Sequence, residues 1–156
     1  NYSNTHNKVS FSVLSNNFSL AEMVDPVWPG CVGMNDIFMD YINENGIMLF
    51  PWSSQARGFF IKKKEITSNE HFSNPSLEEE IRVWHNEKNL KRRSKCFELA
   101  IKKNVEPIQI ALAYVVQKSS LIFPLVGPRT IFETNSSIKA SQIQLTNEEM
   151  SELTIG

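Results

Sequence analysis

The sequence predicts an α/β fold: a parallel sheet with helices packed outside it and too few strands to close on itself. Three observations carry this. Short apolar runs at 9–14, 47–52 and 121–126 are bounded by turn residues and read as strands buried on both faces. Stretches of helical periodicity separate them, and strands alternating with helices argue for a parallel sheet. Three strands cannot close a barrel, and an open sheet this apolar leaves bare edges. The chain is therefore expected to be part of a larger fold.

The elements follow in order. Residues 1–8 are polar and read as loose. Val9-Ser10-Phe11-Ser12-Val13-Leu14 is the first strand, rich in β-formers, and period two places Ser15 and Asn17 beyond it on one face. Pro26, Pro29, Gly30 and Gly33 make 18–35 a long ordered loop. Asp36 to Asn43 reads as a helix whose apolar face is Ile37, Phe38, Tyr41 and Ile42, stopped by Asn45-Gly46. The second strand, Ile47–Trp52, ends abruptly in Ser53-Ser54-Gln55-Ala56-Arg57-Gly58.

Composition changes after Phe60, where Lys62, Lys63 and Lys64 open a stretch read as a mobile loop over 61–75. Ser76-Leu77-Glu78-Glu79 matches a capping box and starts a helix carrying Ile81 and Trp84; Glu78-Glu79-Glu80 reads as a negative helix start favoured by the dipole. Asn89 to Lys103 is a second amphipathic helix with Leu90, Cys96, Phe97, Ala100 and Ile101 near one face, ended by Asn104. Pro107 suits a first helical turn, and Ile108, Ala111, Leu112, Val115 and Val116 form the face of a helix on a sheet. The third strand, Leu121–Val126, leads through Gly127-Pro128-Arg129-Thr130 into a helix with the box Thr130-Ile131-Phe132-Glu133. Thr146-Asn147-Glu148-Glu149 opens a last short helix.

Composition narrows the function classes. The chain has 156 residues, one domain's worth, with 41% apolar and 21% charged residues. A formal net charge of -1 gives no reason to expect a nucleic acid or an acidic membrane surface as partner. No run approaches the ~18 apolar residues of a membrane helix, and no signal peptide is visible. Lys91-Arg92-Arg93, with Lys88 and Lys95, reads as a solvated helix face. Cys31 and Cys96 belong to no CxxC and lie near no His cluster, which argues against zinc. A disulfide stays open from sequence; a reduced pair in the cytoplasm is the blander reading. The tripeptides starting at Asn1, Asn17 and Asn135 match the glycosylation acceptor by coincidence in a chain rich in Asn and Ser. Because the chain begins at Asn rather than Met, it is not expected to be a complete translation product.

Two strand ends could carry chemistry. The Gly127-Pro128-Arg129-Thr130 turn opens a helix N-terminus, where free N–H groups and the dipole favour an anion and Arg129 adds a fork suited to phosphate. The alternative is that Thr130 is only a cap, Glu133 its partner and Arg129 a surface charge. Trp52 could stack on a flat ligand or be core; Ser53, Ser54 and Arg57-Gly58 could meet an anion or only end the strand. His6, His71 and His85 receive no catalytic role, and no P-loop, GxGxxG, nucleophile elbow or metal motif is present.

Trp52-Ser53-Ser54-Gln55-Ala56-Arg57-Gly58-Phe59-Phe60 resembles the aldo-keto reductase family, in its bacterial-type NADP-dependent branch. Three further stretches agree in order: Asn17-Phe18-Ser19-Leu20-Ala21 with Pro26-Val27-Trp28-Pro29-Gly30-Cys31; Pro107-Ile108-Gln109-Ile110-Ala111-Leu112-Ala113-Tyr114-Val115; and Phe123-Pro124-Leu125-Val126-Gly127-Pro128-Arg129-Thr130. The resemblance covers nearly all of the chain. It implies one partial domain over 1–156, the C-terminal part of a (β/α)8 TIM barrel with strands six, seven and eight, not closed on its own.

The resemblance implies NADP (NADPH) as coenzyme and a small-molecule carbonyl substrate for the full-length protein. Trp52 falls where the family sets a ring against the nicotinamide. Ser53, Gln55 and Arg57 fall in the loop approaching the pyrophosphate. Ser15 stands where many members carry a Gln that bonds the carboxamide, with Asn17 a substitute on the same face. Gly127, Arg129 and Thr130 fall at the adenosine 2′-phosphate. Asn135 matches an Asn that contacts the adenine, with Glu133 a weaker neighbour. Leu125 and Val126 replace a Lys-Ser pair of other members, leaving Arg129 as the main phosphate cation.

The family's catalytic aspartate, tyrosine, lysine and histidine lie in the N-terminal half. Tyr2, Tyr41 and Tyr114 do not match the tyrosine motif, so no catalytic residue is expected here. The missing half, or self-association, is expected to cover the sheet edges. The alternative function is a truncated, non-catalytic nucleotide-binding or protein-interaction module.

Overall fold

The computed structural model describes residues 2–61 and 75–155. β1 (Val13–Leu14) runs parallel to β2 (Met48–Leu49), with Val13 opposite Met48 and Leu14 opposite Leu49. The third predicted strand joins them through a parallel bridge between Leu49 and Ile122. The Leu49 N–H donates to the Leu121 carbonyl and the Phe123 N–H to the Leu49 carbonyl, both at 2.8 Å. Farther along, Phe50 N–H bonds Leu14 O (2.8 Å) and Leu125 N–H bonds Pro51 O (3.0 Å). All three predicted strands therefore lie side by side and parallel, with Ile47–Trp52 in the middle. The ladder itself is shorter than the apolar runs.

The expectation that each strand is buried on both faces is overturned. Leu49, Pro51 and Ile122 are buried, but Val9 and Phe11 are 99% and 94% exposed, and Phe123, Leu125 and Val126 are exposed as well. Among the described residues the outer runs pair with the central one, and Asn17 beyond the first run also bridges to Gly33. The Phe50 and Phe123 rings meet edge to face at 5.7 Å, which gives these rings partial cover.

Residues 2–5 form a short helix, α1 (Tyr2–Thr5), where a loose segment was expected; Tyr2 and His6 close it, their rings 4.2 Å apart. α2 (Asp36–Asn45) begins on Asn35, whose side chain accepts from the Phe38 N–H, and stops at Gly46, whose left-handed backbone (φ 63°) returns an N–H to Ile42 O. Its predicted apolar face is rotated. Met39 and Ile42 are buried, whereas Ile37, Phe38 and Tyr41 face outward. Periodicity alone does not say which side of a helix another layer will cover.

Residues 62–74, nearly all of the predicted 61–75 loop, lie outside the described residues. α3 (Pro75–Trp84) starts at Pro75, one residue before the predicted start. Trp84 at its end is fully buried. α4 (Glu87–Lys103) is capped by Asn86, which accepts from the Asn89 N–H, and ends at Asn104 in the left-handed conformation (φ 53°). α5 (Pro107–Gln117) has Pro107 at its first turn and a reciprocal Glu106–Gln109 box. α6 spans Ile131–Ala140, and α7 (Asn147–Glu152) carries the predicted Thr146–Glu149 box with both bonds made, at 2.9 and 3.2 Å. One apolar cluster joins Leu20, Ile42, Leu49, Phe59, Phe60, Trp84, Ile110, Val115 and Leu153.

α4 differs most from expectation. Leu90 and Ile101 point outward, whereas Asn89 and Arg92 are buried. Arg92 donates to Leu20 O (3.1 Å) and to the Glu22 carboxylate (2.8 Å). Arg93 donates to Phe59 O (2.7 Å) and Ile61 O (2.9 Å), and its guanidinium lies 4.4 Å from the Phe97 ring centroid. The reading of Lys91-Arg92-Arg93 as a solvated face therefore fails for both arginines. Loop carbonyls crossing a helix need donors, and these two side chains provide them. Burial raises the Glu22 carboxyl's pKa, but Lys88 and Arg92 outweigh it and hold the group below its ordinary value. Cys31 and Cys96 are both free thiols; Cys96 is buried and donates to Pro107 O (3.1 Å), and burial pushes its thiol pKa up.

Candidate functional site

The site is built at the C-terminal ends of the three parallel strands. Beyond the ladder, the side chains of the first strand tie down the second. Ser15 Oγ donates to Phe50 O (2.9 Å), and Asn17 Nδ2 donates to Trp52 O (3.1 Å). Asn17 is buried; its N–H bonds Val32 O and its carbonyl accepts from the Met34 N–H, so the far end of the 18–35 loop returns to it. The predicted common face of Ser15 and Asn17 is therefore observed, and both polar groups are engaged with the neighbouring strand.

Trp52 is half-buried, and the chain after it turns sharply. Ser53, Ala56, Arg57 and Gly58 have φ of 49°, 46°, 50° and 95°. Only Gly58 adopts that conformation without a Cβ penalty, so the other residues carry local strain of the kind found in ligand loops. Gln55, half-buried, accepts from the Gly58 N–H at 3.1 Å. Ser54 is buried and its Oγ donates to Leu125 O (2.8 Å), which fixes the loop to the end of the third strand. Arg57 is exposed, reaches Ser53 Oγ at 3.4 Å and forms an ion pair with Glu79 of α3.

The turn after the third strand is open. A Cβ built on Gly127 would meet nothing within 4 Å. Thr130 Oγ1 accepts from the Glu133 N–H (3.1 Å), so the predicted cap is present. Glu133 reaches past Thr130 to the Arg129 N–H (2.5 Å), and Arg129 Nη2 stands 3.5 Å from Glu133 Oε1. That backbone N–H bond comes first among the influences holding the Glu133 carboxyl below its usual range; the Arg129 charge adds to it. The Arg129 side chain is 86% exposed, which leaves its guanidinium open to an outside anion. Asn135 is exposed on α6. Thr130→Ala should lower stability by about 1 kcal/mol through the lost cap, readable as a shift of the urea midpoint. An unchanged midpoint would mean that the cap bond contributes nothing.

Sequence reasoning did not foresee the surroundings of Trp52. The Trp28 ring stacks on it with centroids 4.8 Å apart and planes 27° apart, and the Arg57 guanidinium lies 5.9 Å from the Trp28 centroid. The available signal was Pro26-Val27-Trp28-Pro29, two prolines stiffening a segment around an aromatic residue.

The family model described as "Aldo/keto reductase family" matches residues 2–155. The norsolorinic acid reductase stcV of Emericella nidulans is 32% identical over 108 residues, covering 69% of this chain and 26% of that protein. A probable aldo-keto reductase 1 of Glycine max is 27% identical, covering 70% of this chain and 32% of that protein. A putative aryl-alcohol dehydrogenase AAD10 of Saccharomyces cerevisiae is 27% identical, covering 96% and 49%. The crystal structure of the thermostable aldo-keto reductase Tm1743 superposes with a TM-score of 0.59 at 17% identity, over 91% of this chain and 38% of that one.

The parallel α/β arrangement, with its loops gathered at the strand ends, thus has the fold of part of an aldo-keto reductase barrel. The chain belongs to the aldo/keto reductase family. It spans between 26% and 49% of the length of these curated relatives. Among the described residues, no helix is long and apolar enough to cross a membrane.

Proposed function

We propose that this chain is the coenzyme-binding C-terminal segment of an NADP-dependent aldo-keto reductase, a single partial domain over 1–156 that contributes barrel strands six, seven and eight. The observation that carries the reading is the junction of two strand ends. The half-buried Trp52 ends the central strand and the exposed Arg129 stands in the turn after its neighbour, and the Ser54–Leu125 bond joins the two strand ends. The donor set suits a dinucleotide phosphate: an aromatic ring for the nicotinamide, and a guanidinium with helix N–H groups for the 2′-phosphate. Bound NADPH supplies the hydride for carbonyl reduction.

In this reading Trp52 orients the nicotinamide. Ser53, Gln55 and Arg57 line the approach to the pyrophosphate, and Gly127, Arg129 and Thr130 hold the adenosine phosphate. Ser15 and Asn17, which bond the Phe50 and Trp52 carbonyls, stand at the nicotinamide carboxamide, and Glu133 and Asn135 stand near the adenine. The acid–base set belongs to the N-terminal part of the full-length protein, which acts on a small-molecule carbonyl compound in the cytoplasm. The names of the relatives, with norsolorinic acid and aryl alcohol among them, point to aromatic compounds. Exposed Val9, Phe11, Phe123 and Leu125 favour a covering layer, supplied by that N-terminal part or by a second copy.

Fluorescence titration of the chain with NADPH and NADH tests the proposal. NADPH should bind at micromolar levels, and Arg129→Ala should weaken NADPH by about fivefold while leaving NADH unchanged, the size of one exposed charge-assisted contact. Carbonyl reduction by the chain alone is not expected. A folded chain that does not bind NADPH would overturn the reading.

A further inference from the structure

Trp28 is a large aromatic residue held at the surface. It is 48% exposed, whereas Trp84 is fully buried in the core. A tryptophan that served packing alone would resemble Trp84. Trp28 instead lies on the Trp52 ring at 4.8 Å, with its outer surface open to solvent.

Its position is not left to chance. Pro26 and Pro29 flank it, and the Cys31 N–H closes a turn on the Trp28 carbonyl (3.2 Å). α3 then braces the segment from outside. Arg82 forms an ion pair with Asp25 and donates to Pro26 O (2.8 Å) and Val27 O (3.2 Å). The Val24 N–H donates to Val83 O at 2.9 Å. The same helix holds the Trp52 loop, because Glu79 pairs with Arg57. One helix therefore sets the spacing between the two loops that carry the two rings.

We propose that Trp28 is a specificity-determining residue: its braced ring, set beside Trp52, selects ligands with a flat aromatic group over ligands of the same polarity with a puckered saturated ring. This rests on the coenzyme reading for Trp52 but is tested separately from it. Flat rings lie against an indole face at van der Waals distance over their whole area, and a saturated ring touches it only at a few hydrogens. Arg82 acts through the loop it holds and is a positioning residue.

The test compares 2-acetylnaphthalene with cyclohexyl methyl ketone, by saturation-transfer NMR on the whole chain, with and without NADPH. Wild type should prefer the naphthyl ketone. Trp28→Leu, which keeps apolar bulk without the flat face, should lower naphthyl affinity by about fivefold, Trp28→Phe should restore most of it, and NADPH affinity should stay within about twofold throughout, as expected for loss of one exposed stack. Arg82→Ala should weaken naphthyl binding in the same direction with the Trp28 ring still present. Equal binding of the two ketones, or undiminished naphthyl binding by Trp28→Leu, would overturn the proposal. Wild type that prefers the naphthyl ketone but ignores NADPH would sink the coenzyme reading and leave the role of Trp28 standing.

Discussion

Asn89→Ala should destabilise the chain by about 2–4 kcal/mol, because a buried partner left unpaired costs about 1–3 kcal/mol and each part-buried bond lost adds about 0.5–1.5 kcal/mol. Asn89 is fully buried on α4. Its Oδ1 accepts from the Glu22 N–H (2.9 Å), and its Nδ2 donates to Glu22 O and to Trp84 O, both at 2.8 Å. One side chain thus supplies both hydrogen-bonding groups of the Glu22 backbone and closes the end of α3. Alanine removes all three bonds and leaves the buried Trp84 carbonyl without this donor. Asn89→Asp separates the parts: it keeps the acceptor for the Glu22 N–H and sets a charge against two carbonyls. It should be at least as damaging. Urea unfolding measures both, and a loss under about 1 kcal/mol for alanine would show that the bonds are compensated.

Trp52→Ala should weaken NADPH binding by about tenfold, the upper range for loss of one stacked aromatic contact. The coenzyme reading rests on this ring. Its removal also leaves the Trp28 ring without its stacking partner. Trp52→Phe keeps a flat surface and should recover part of the affinity. Unchanged affinity in a folded Trp52→Ala chain, measured by NADPH fluorescence, would remove Trp52 from the site.

Much of the fold was legible because its signals are local. Gly46 and Asn104 end their helices in the left-handed conformation that these residue types tolerate, and Thr130, Thr146 and Pro107 sit at the helix starts that their chemistry favours. The parallel alignment of the strands followed from their alternation with helices. What was not legible depends on which surfaces meet. Ile37 and Tyr41 read as a core face, yet α2 turns Met39 and Ile42 inward, because nothing in the helix's own sequence says where the sheet lies. Arg92 and Arg93 read as solvated because charge usually is. They are retained near the core by the carbonyls of loops far away in sequence, and no spacing rule reports such carbonyls.

The site divides the same way. The ends of the strands and the Thr130 cap could be read from turn residues and capping pattern. The Trp28–Trp52 stack and its brace on α3 could not, since residues 25–28, 52–57 and 79–83 come together only in the fold.

Arg92 and Arg93 are consecutive, and consecutive residues on a helix point about 100° apart. They therefore fasten two different segments to one rod: residues 20–22 on one side and 59–61 on the other. Loosening either segment takes from its arginine the carbonyls that it bonds. The start of the 18–35 loop and the end of the Trp52 loop are thus both moored to α4, so the two walls of the strand-end site rest on one helix.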